Sequence, residues 1–351
     1  GDVYKRQHLL FLAALLIVNL AASAQKKFSV YAVGFYNQEN LFDTCHDEGK
    51  KDYEYLPNKG WNGMKYTNKL RNMSKALADM GTDVLPNVGC AFIGLSEVEN
   101  HKVLDALVDQ APLKARNMKY VHIEGPDRRG IDCALLYNPS LFSVKNVKLL
   151  PYVQELAKDS AFFTRGFLTV RGEMAGDDVA VIVCHWPSRF SGPFYRESAA
   201  RQVKVIKDSL LNVNQEMKIF VMGDMNDDPV NKSMHVYLQA KPEISQVGAG
   251  DMYNPWYNVL AKEGKGTLFY SGNWNLFDQI VITPNLLNKD AKKKDYSSLK
   301  YWKSHIFRRD YLIQQEGQYK GAPLRTTAGG RWLNGYSDHL PVVMYLVKEK
   351  K

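Results

Sequence analysis

The chain has 351 residues, of which 45% are hydrophobic and 24% are charged. This composition excludes a disordered or fibrous protein and is sufficient for one large hydrophobic core. The formal net charge of +9 at pH 7 permits a polyanionic partner. The positive residues are spread along the chain, and their densest stretch, residues 289–303, is interpreted as a solvated face.

The N-terminus has the pattern of a secretory signal peptide. Lys5 and Arg6 precede an apolar run of 12 residues at 9–20, and small residues at 22–24 follow it. The run is too short to cross a bilayer, and a buried helix is the alternative interpretation. Residues 1–7 resemble a translated sequencing adapter. We therefore expect residues 1–24 to comprise this fragment and the signal peptide, and residues 25–351 to form a single domain that is periplasmic or secreted and has no transmembrane segment.

The four cysteines do not indicate a metal site. Cys133 and Cys184 lie inside apolar strand patterns, where buried free thiols are expected. Cys45 and Cys90 lie in loop-like sequence, and an exported protein could pair them in a disulfide. The sequence leaves that pairing open.

Strand and helix patterns alternate along the chain. Apolar runs predict strands at residues 28–36, 92–95, 119–123, 132–137, 143–149, 167–173, 179–184, 218–222, 279–283 and 340–346. Apolar residues at three- and four-residue steps predict helices at 66–80, 102–110 and 199–211. Many strands with fewer helices predict stacked sheets covered by helices. The long irregular segments 44–61 and 240–271 are expected to shape a binding site.

Acid, amide and imidazole side chains stand at the ends of these strands. They are Asn37, Glu97, His185, Asp224, Asn226, Asp278, Asp338 and His339. Asp224 and Asn226 are two residues apart after an apolar run, so their side chains point to the same side of an extended backbone. Sheets of α/β proteins place their sites at strand ends. The pattern therefore predicts metal-assisted hydrolysis of a phosphate ester.

Five motifs carry a resemblance to a known family. They are residues 40–43 (NLFD), 96–100 (SEVEN), 129–132 (RGID), 185–189 (HWPSR) and 335–341 (GYSDHLP). In this order they resemble the endonuclease/exonuclease/phosphatase superfamily with the deoxyribonuclease-I-like fold, and they are most similar to its exported bacterial branch. The resemblance implies an α/β (α+β) fold, a four-layer sandwich of two stacked mixed β-sheets flanked by helices.

The resemblance also implies a metal site. Glu97 matches the principal Mg²⁺ ligand, with Mn²⁺ as the alternative ion, and a hard cation prefers carboxylate oxygen. Asn37 and Asp338 match further contributors to the metal region. A plain surface acid is the alternative for Glu97, and a turn residue after a strand is the alternative for Asn37.

The remaining groups match catalytic positions of the family. His339 matches the imidazole that activates or orients the attacking water, with Asp278 holding its tautomer. Asp224 and Asn226 match the pair beside the scissile phosphate, and His185 matches a donor to the phosphate or the leaving oxygen. Whether Asp224 or His339 removes the proton is left open.

Two arginines are candidates for substrate binding, and one acid departs from the family pattern. Arg165 and Arg189 could hold phosphate oxygens through their planar forks, with surface ion pairs as the alternative. Nuclease members tend to carry Arg two residues after the metal-binding Glu, where this chain has Glu99. This difference removes a phosphate contact and favours a smaller phosphoester over duplex DNA.

The sequence thus predicts a Mg²⁺-dependent hydrolase that cleaves a phosphodiester or phosphomonoester by in-line attack of water. A nuclease-like activity is favoured over a phospholipid or inositol-phosphate phosphoesterase. The expected partner is a phosphate-ester substrate, either nucleic acid or a small phosphoester, and no stable protein partner is implied. The alternative of another class is a non-catalytic binding protein on the same fold, which would be expected to have lost at least one of the eight groups.

Overall fold

The computed structural model describes residues 27–155, 162–290 and 292–350, so the predicted signal peptide lies outside the described residues. Among the described residues, no helix combines the length and hydrophobicity needed to cross a bilayer.

The strands within this part of the chain are β1 (Phe28–Leu41), β2 (Cys90–Val98), β3 (Lys119–His122), β4 (Asp132–Tyr137), β5 (Phe142–Leu150), β6 (Phe167–Met174), β7 (Asp177–His185), β8 (Lys218–Asp224), β9 (Ala240–Lys241), β10 (Met252–Tyr253), β11 (Leu268–Tyr270), β12 (Asn273–Asn275), β13 (Asp278–Ile282), β14 (Lys300–Ile306), β15 (Thr327–Ala328), β16 (Arg331–Trp332) and β17 (Val342–Glu349).

Two mixed sheets contain most of these strands. The order in the first sheet is β14-β17-β1-β2-β4-β3, and the order in the second is β5-β6-β7-β8-β13-β10-β9. Each sheet has a parallel pair near its centre, β1 with β2 and β7 with β8. Since parallel strands end at the same edge, polar residues that follow these four strands are gathered at two facing edges. Two small hairpins, β11-β12 and β15-β16, lie outside the sheets.

Helices cover the outer faces of the sheets. The described α-helices are α1 (Gly63–Asp79), α2 (His101–Val108), α3 (Ala111–Ala115), α4 (Pro193–Val213) and α5 (Trp256–Ala261). The Asn62 side chain accepts from the backbone N–H of Lys65 and begins α1. Pro193 occupies the first position of α4, where its missing N–H has no helical partner to lose.

The hydrophobic core is divided into three layers by the two sheets. The central layer packs one sheet against the other and contains Phe35, Phe92, Phe220 and Met222. One outer layer packs α1 and α2 on the first sheet, and the other packs α4 on the second sheet. The predicted four-layer sandwich is therefore confirmed.

The predicted strands and helices match the structure to within a few residues at most ends, but seven strands (β9–β12 and β14–β16) and the short helices α3 and α5 are not predicted. Lys300–Ile306 is an edge strand paired with β17, whereas its lysine-rich sequence predicts a solvated face. An edge strand has one free side and needs few apolar residues, so charge does not exclude it. The segment 240–271, predicted as irregular, contains β9, β10 and α5.

The four cysteines are free thiols. Cys45 is exposed in a loop, and Cys90 is buried at the start of β2, so the disulfide considered for this pair is not formed.

Candidate active site

The edges of the two sheets bring the predicted polar residues together. His185 and Asp224 end the parallel strands β7 and β8 and are paired in register. Asp278 begins the antiparallel strand β13 opposite Asp224. Asn37 comes from the facing sheet and donates from Nδ2 to Asp224 Oδ2 at 3.1 Å. Asp224 is therefore hydrogen-bonded across the two sheets at their polar edges.

Two of these residues have left-handed backbone conformations. Glu97 has φ 59° and lies at a register shift between Ser96 and Val98, where β2 departs from regular pairing with β4. Such a bulge re-aims a side chain that regular alternation would direct elsewhere. Asn226 has φ 49°, and its backbone N–H donates to Asp224 Oδ1 at 2.9 Å. Local backbone geometry thus contributes to the placement of both side chains.

His339 forms a carboxylate–imidazole pair with Asp278. Nδ1 of His339 lies 2.7 Å from Oδ2 of Asp278, which is fully buried. Nε2 lies 3.9 Å from Asp224 Oδ2 and 4.0 Å from Asp338 Oδ1. Burial by itself lowers the pKa of His339, but the carboxylates of Asp278, Asp224 and Asp338 raise this pKa well above its ordinary value.

Asp224 and His185 are shifted toward their neutral forms. Burial raises the pKa of Asp224 to about 6, although the nearby His339 lowers it. Burial, followed by the charges of Arg165 and Arg129, lowers the pKa of His185 well below its ordinary value. The neutral imidazole of His185 directs Nε2 at Glu97 Oε1 (3.8 Å) and Asp224 Oδ2 (3.6 Å).

These donor atoms fit a divalent cation. One oxygen of Glu97, one of Asp224 and one nitrogen of His185 lie within 4.8 Å of one another. The backbone N–H of Asn40 holds Glu97 Oε2 at 2.9 Å. Within the described part of the chain, the buried Nδ1 of His185 has no hydrogen-bond partner. The two carboxylates match the oxygen ligands that Mg²⁺ and Mn²⁺ prefer, whereas an imidazole ligand is typical of softer ions.

Two predicted members of the metal region have other contacts. Oδ1 of Asn37 accepts from the backbone N–H of Glu39 at 2.8 Å. Oδ2 of Asp338 accepts from Arg325 at 3.2 Å, and Asp338 lies outside the three-residue group. Their roles as metal ligands stay predictions.

A cavity of about 250 Å³ gives solvent access to the site. Its lining includes Glu97, Arg129, Arg165, His185, Asp224, Asn226 and His339. Nδ2 of Asn226 donates to the backbone carbonyl of Trp186 at 3.0 Å. The predicted metal ligand and the predicted water-activating imidazole therefore open onto the same space.

Three arginines lie in or near this cavity, and two of them have carboxylate partners. Arg165 lines the cavity but donates to Asp127 Oδ2 at 3.1 Å and to the carbonyl of Trp186 at 3.0 Å. Arg189 does not line the cavity; it donates to Asp228 Oδ2 at 2.8 Å and lies over the ring of Phe277.

Arg129 is a further cation that the motif roles do not predict. It is exposed, lines the cavity and donates to the neutral amide oxygen of Asn40 at 2.5 Å. No carboxylate of the described residues lies within 4.0 Å of its guanidinium, so its charge is available to a phosphate. Its place in the motif 129–132, directly before β4, is the sequence signal that could have indicated it.

Glu99, which replaces the arginine found in nuclease members, stabilises the neighbouring loop. The side chain is 2% exposed, and Oε2 accepts from the backbone N–H of Asp43 at 2.7 Å. Burial raises the pKa of Glu99 to about 8. Position 99 therefore faces the protein interior and offers no contact to a substrate.

Comparisons with known proteins agree with this geometry. The model of the Endonuclease/Exonuclease/phosphatase family matches residues 32–348. No curated protein sequence matches the chain. An endonuclease/exonuclease/phosphatase family protein from Bacteroides thetaiotaomicron is similar in structure, with 14% identity, a TM-score of 0.55 and coverage of 93% of this chain and 100% of that one.

Two further structures share the fold. D. rerio TDP2, in complex with a single-strand DNA product, has 11% identity and a TM-score of 0.52, covering 91% of this chain and 99% of that one. A mannosyl-6-phosphatase from Bacteroides thetaiotaomicron VPI-5482 has 14% identity and a TM-score of 0.53, covering 90% of this chain and 99% of that one. At these identities the likeness concerns the fold alone. On the family match, the chain belongs to the endonuclease/exonuclease/phosphatase superfamily, whose members are typically metal-using hydrolases of phosphoester bonds.

Proposed function

We propose that the protein is a Mg²⁺-dependent phosphoesterase that cleaves a phosphodiester in a nuclease-like reaction. The observation that carries this proposal is the single cavity lined by Glu97, Asp224 and His339, with Asp278 bound behind the imidazole. Retention of all eight predicted groups argues against a binding protein that has lost catalysis.

The residues fit a bound ion at Glu97, with Asp224 and His185 beside it. An ion held there would supply positive charge to the phosphate and to the leaving oxygen. Asn37 and Asp338 would contribute to the metal region as further polar groups.

Water activation is assigned to the His339 side of the cavity. Asp278 accepts a hydrogen bond from Nδ1–H of His339, which leaves Nε2 facing Asp224 and the cavity. When Nε2 takes a proton from water, the adjacent carboxylates stabilise the imidazolium that forms. Asp224 can accept a hydrogen bond from the other O–H of that water and so align it. Comparing Asp224→Asn with His339→Ala identifies which of the two removes the proton.

Phosphate binding is assigned to His185, Asn226 and Arg129. As an alternative to binding the ion, the neutral His185 can donate from Nε2–H to a phosphate oxygen or to the leaving group. The amide of Asn226 and the unpaired guanidinium of Arg129 line the same cavity and can bind the remaining oxygens.

A second candidate function is hydrolysis of a phosphomonoester on a sugar or inositol ring. It is supported by a larger cavity of about 830 Å³ that borders Asp338 and is lined by Tyr270, Gln314, Gln318 and Tyr319. Aromatic faces combined with amides suit a polyhydroxylated ring. The mannosyl-6-phosphatase of the same fold gives this candidate further support.

Hydrolysis of bis-p-nitrophenyl phosphate and of p-nitrophenyl phosphate, with Mg²⁺ or Mn²⁺ and then with EDTA, tests the proposal. We expect metal-dependent turnover that EDTA abolishes and that Glu97→Gln and His339→Ala reduce by about 10²-fold or more. A panel of single-stranded DNA, RNA, mannose 6-phosphate, inositol phosphates and sphingomyelin then separates the candidates. Equal activity of both variants and the wild type would refute the proposal.

A further inference from the structure

A separate cavity of about 250 Å³ lies beside the candidate metal ligands, and we call it the Lys59 cavity. Its lining includes the cations Lys59, Lys65 and Arg325, the acids Glu39 and Glu54, and also Asn40 and Tyr55. Asn40 joins it to the active site, because its backbone N–H binds Glu97 Oε2. Arg325 forms a second connection through its hydrogen bond to Asp338 Oδ2. The Lys59 cavity is therefore one residue away from two of the predicted metal-region acids.

Two lysines of the Lys59 cavity form no close ion pair with the described residues, although the exposed Glu54 lines the same cavity. No carboxylate of the described residues lies within 4.0 Å of the ammonium of Lys59 or Lys65. Arg325 differs, because it contacts both Glu39 Oε1 and Asp338 Oδ2 at 3.2 Å. Unpaired cations in a concave site attract anions more strongly than cations on a convex surface. Since Glu39 and Asp338 hold Arg325, Lys59 and Lys65 are the cations of the lining that remain for an anionic ligand.

The opposite wall of the Lys59 cavity is aromatic and held by stacking. The ring of Tyr55 stacks on Phe42 with centroids 4.1 Å apart and planes 5° from parallel. Trp61 contacts Tyr55 edge-on at 5.8 Å, and its indole N–H donates to the carbonyl of Phe42 at 3.2 Å. These contacts pre-organise the wall, so a ligand does not have to order it.

Asn40 connects the Lys59 cavity to the active-site cavity. It lines the Lys59 cavity with Tyr55, and its Oδ1 accepts from Arg129, which lines the active-site cavity. Its backbone N–H binds Glu97 Oε2. A substrate with its scissile phosphate at Glu97 would pass Asn40 and Tyr55 to reach the lysines.

We propose that the Lys59 cavity binds a second phosphate group of the substrate, next to the phosphate that is hydrolysed. This inference rests on the proposed function and narrows its substrate class to esters with at least two phosphates. The second phosphate comes either from the next nucleotide of a strand or from a phosphorylated sugar. Lys59 and Lys65 would contact its oxygens, while the ring that carries it packs on Tyr55.

Calorimetric binding of matched ligand pairs in excess Mg²⁺ tests the inference. One pair is adenosine 3′,5′-bisphosphate and adenosine 5′-monophosphate, and the other is fructose 1,6-bisphosphate and fructose 6-phosphate. For the wild type we expect the bisphosphate of one pair to bind about tenfold more tightly than its monophosphate. The pair that shows the preference identifies the source of the second phosphate.

The double variant Lys59→Gln/Lys65→Gln should bring that ratio to within about threefold. Lys145→Gln/Lys148→Gln, on the exposed strand β5, removes the same net charge and should preserve the ratio. A wild type that hydrolyses bis-p-nitrophenyl phosphate but shows no preference in either pair overturns the inference alone. A preference that survives in the double variant overturns it equally. Absence of any metal-dependent hydrolysis overturns the proposed function and the inference with it.

Discussion

Asp278 orients His339 through a 2.7 Å contact between Oδ2 and Nδ1. The partners are 61 residues apart in sequence and meet because β13 pairs with β8 beside the loop that carries His339. Asp278 is fully buried, and its Oδ1 has no hydrogen-bond partner among the described residues. The hydrogen bond to His339 is therefore the main interaction of this carboxylate.

We expect Asp278→Asn to lower kcat by about 10²- to 10⁴-fold, because the amide no longer selects the Nδ1–H tautomer of His339. The isosteric side chain should leave the fold intact, as checked by an unchanged circular dichroism spectrum. Asp83→Asn is the matched control, since Asp83 pairs with His305 at 3.3 Å outside the cavity. Equal losses in the two variants would contradict the assignment.

Metal binding at Glu97 predicts a ligand-dependent melting temperature. Mg²⁺ at about 100 times its Kd should stabilise the wild type by about 2.7 kcal/mol, and Glu97→Gln should remove most of this gain. Thermal denaturation across a Mg²⁺ titration measures the effect.

Glu124→Gln is the control for the metal experiment. Glu124 belongs to another group that could hold an ion, with His122 and Asp132, but its carboxylate pairs with Lys50 at 3.0 Å. Loss of the Mg²⁺ response in the Glu124 variant alone would place the ion in that other group.

Arg129 and Arg189 have different partners, so we expect the loss of one guanidinium to affect catalysis and the loss of the other to affect stability. Arg129→Gln should lower kcat/KM by about 10- to 100-fold, because a charge-assisted phosphate contact disappears. Arg189→Gln should lower the melting temperature and change kcat/KM by less than about threefold, because it breaks contacts to Asp228 and Phe277. Steady-state kinetics and thermal denaturation of both variants measure these effects. A large loss of kcat/KM in the Arg189 variant, and none in the Arg129 variant, would identify Arg189 as the substrate-binding residue.

Lys69 predicts a large stability effect away from the reacting atoms. Its fully buried ammonium donates to Thr326 Oγ1 at 2.6 Å and to the carbonyl of Tyr336, joining α1 to the segment before His339. Lys69→Met should therefore lower the free energy of unfolding by about 2–3 kcal/mol, measured by urea denaturation. Lys75→Met, at an exposed position of the same helix, should cost less than about 1 kcal/mol. Similar values for the two variants would show that the buried contacts of Lys69 are of no special importance.

Much of the sheet framework could be predicted because apolar runs and helical spacing are local signals. Strand β8 and the acid that ends it are recognisable in residues 219–224 without any knowledge of their neighbours. Strand β14 could not be predicted in the same way, since its pairing with β17 depends on a free edge of the sheet. The bulge at Glu97 is also invisible locally, because it exists only relative to the register of β4.

Residue types and their spacing were enough to indicate the sandwich, the polar groups at strand ends and the superfamily, because hydrophobic periodicity and motif order are written along the chain. Folding decided which cations form ion pairs within the protein. Arg165 pairs with Asp127, and Arg189 pairs with Asp228. No described acid pairs with Arg129 or with the two lysines of the Lys59 cavity. The energy of an ion pair depends on the distance between the two charges in space. A carboxylate that is remote in sequence can therefore neutralise an arginine that a sequence motif would assign to substrate binding.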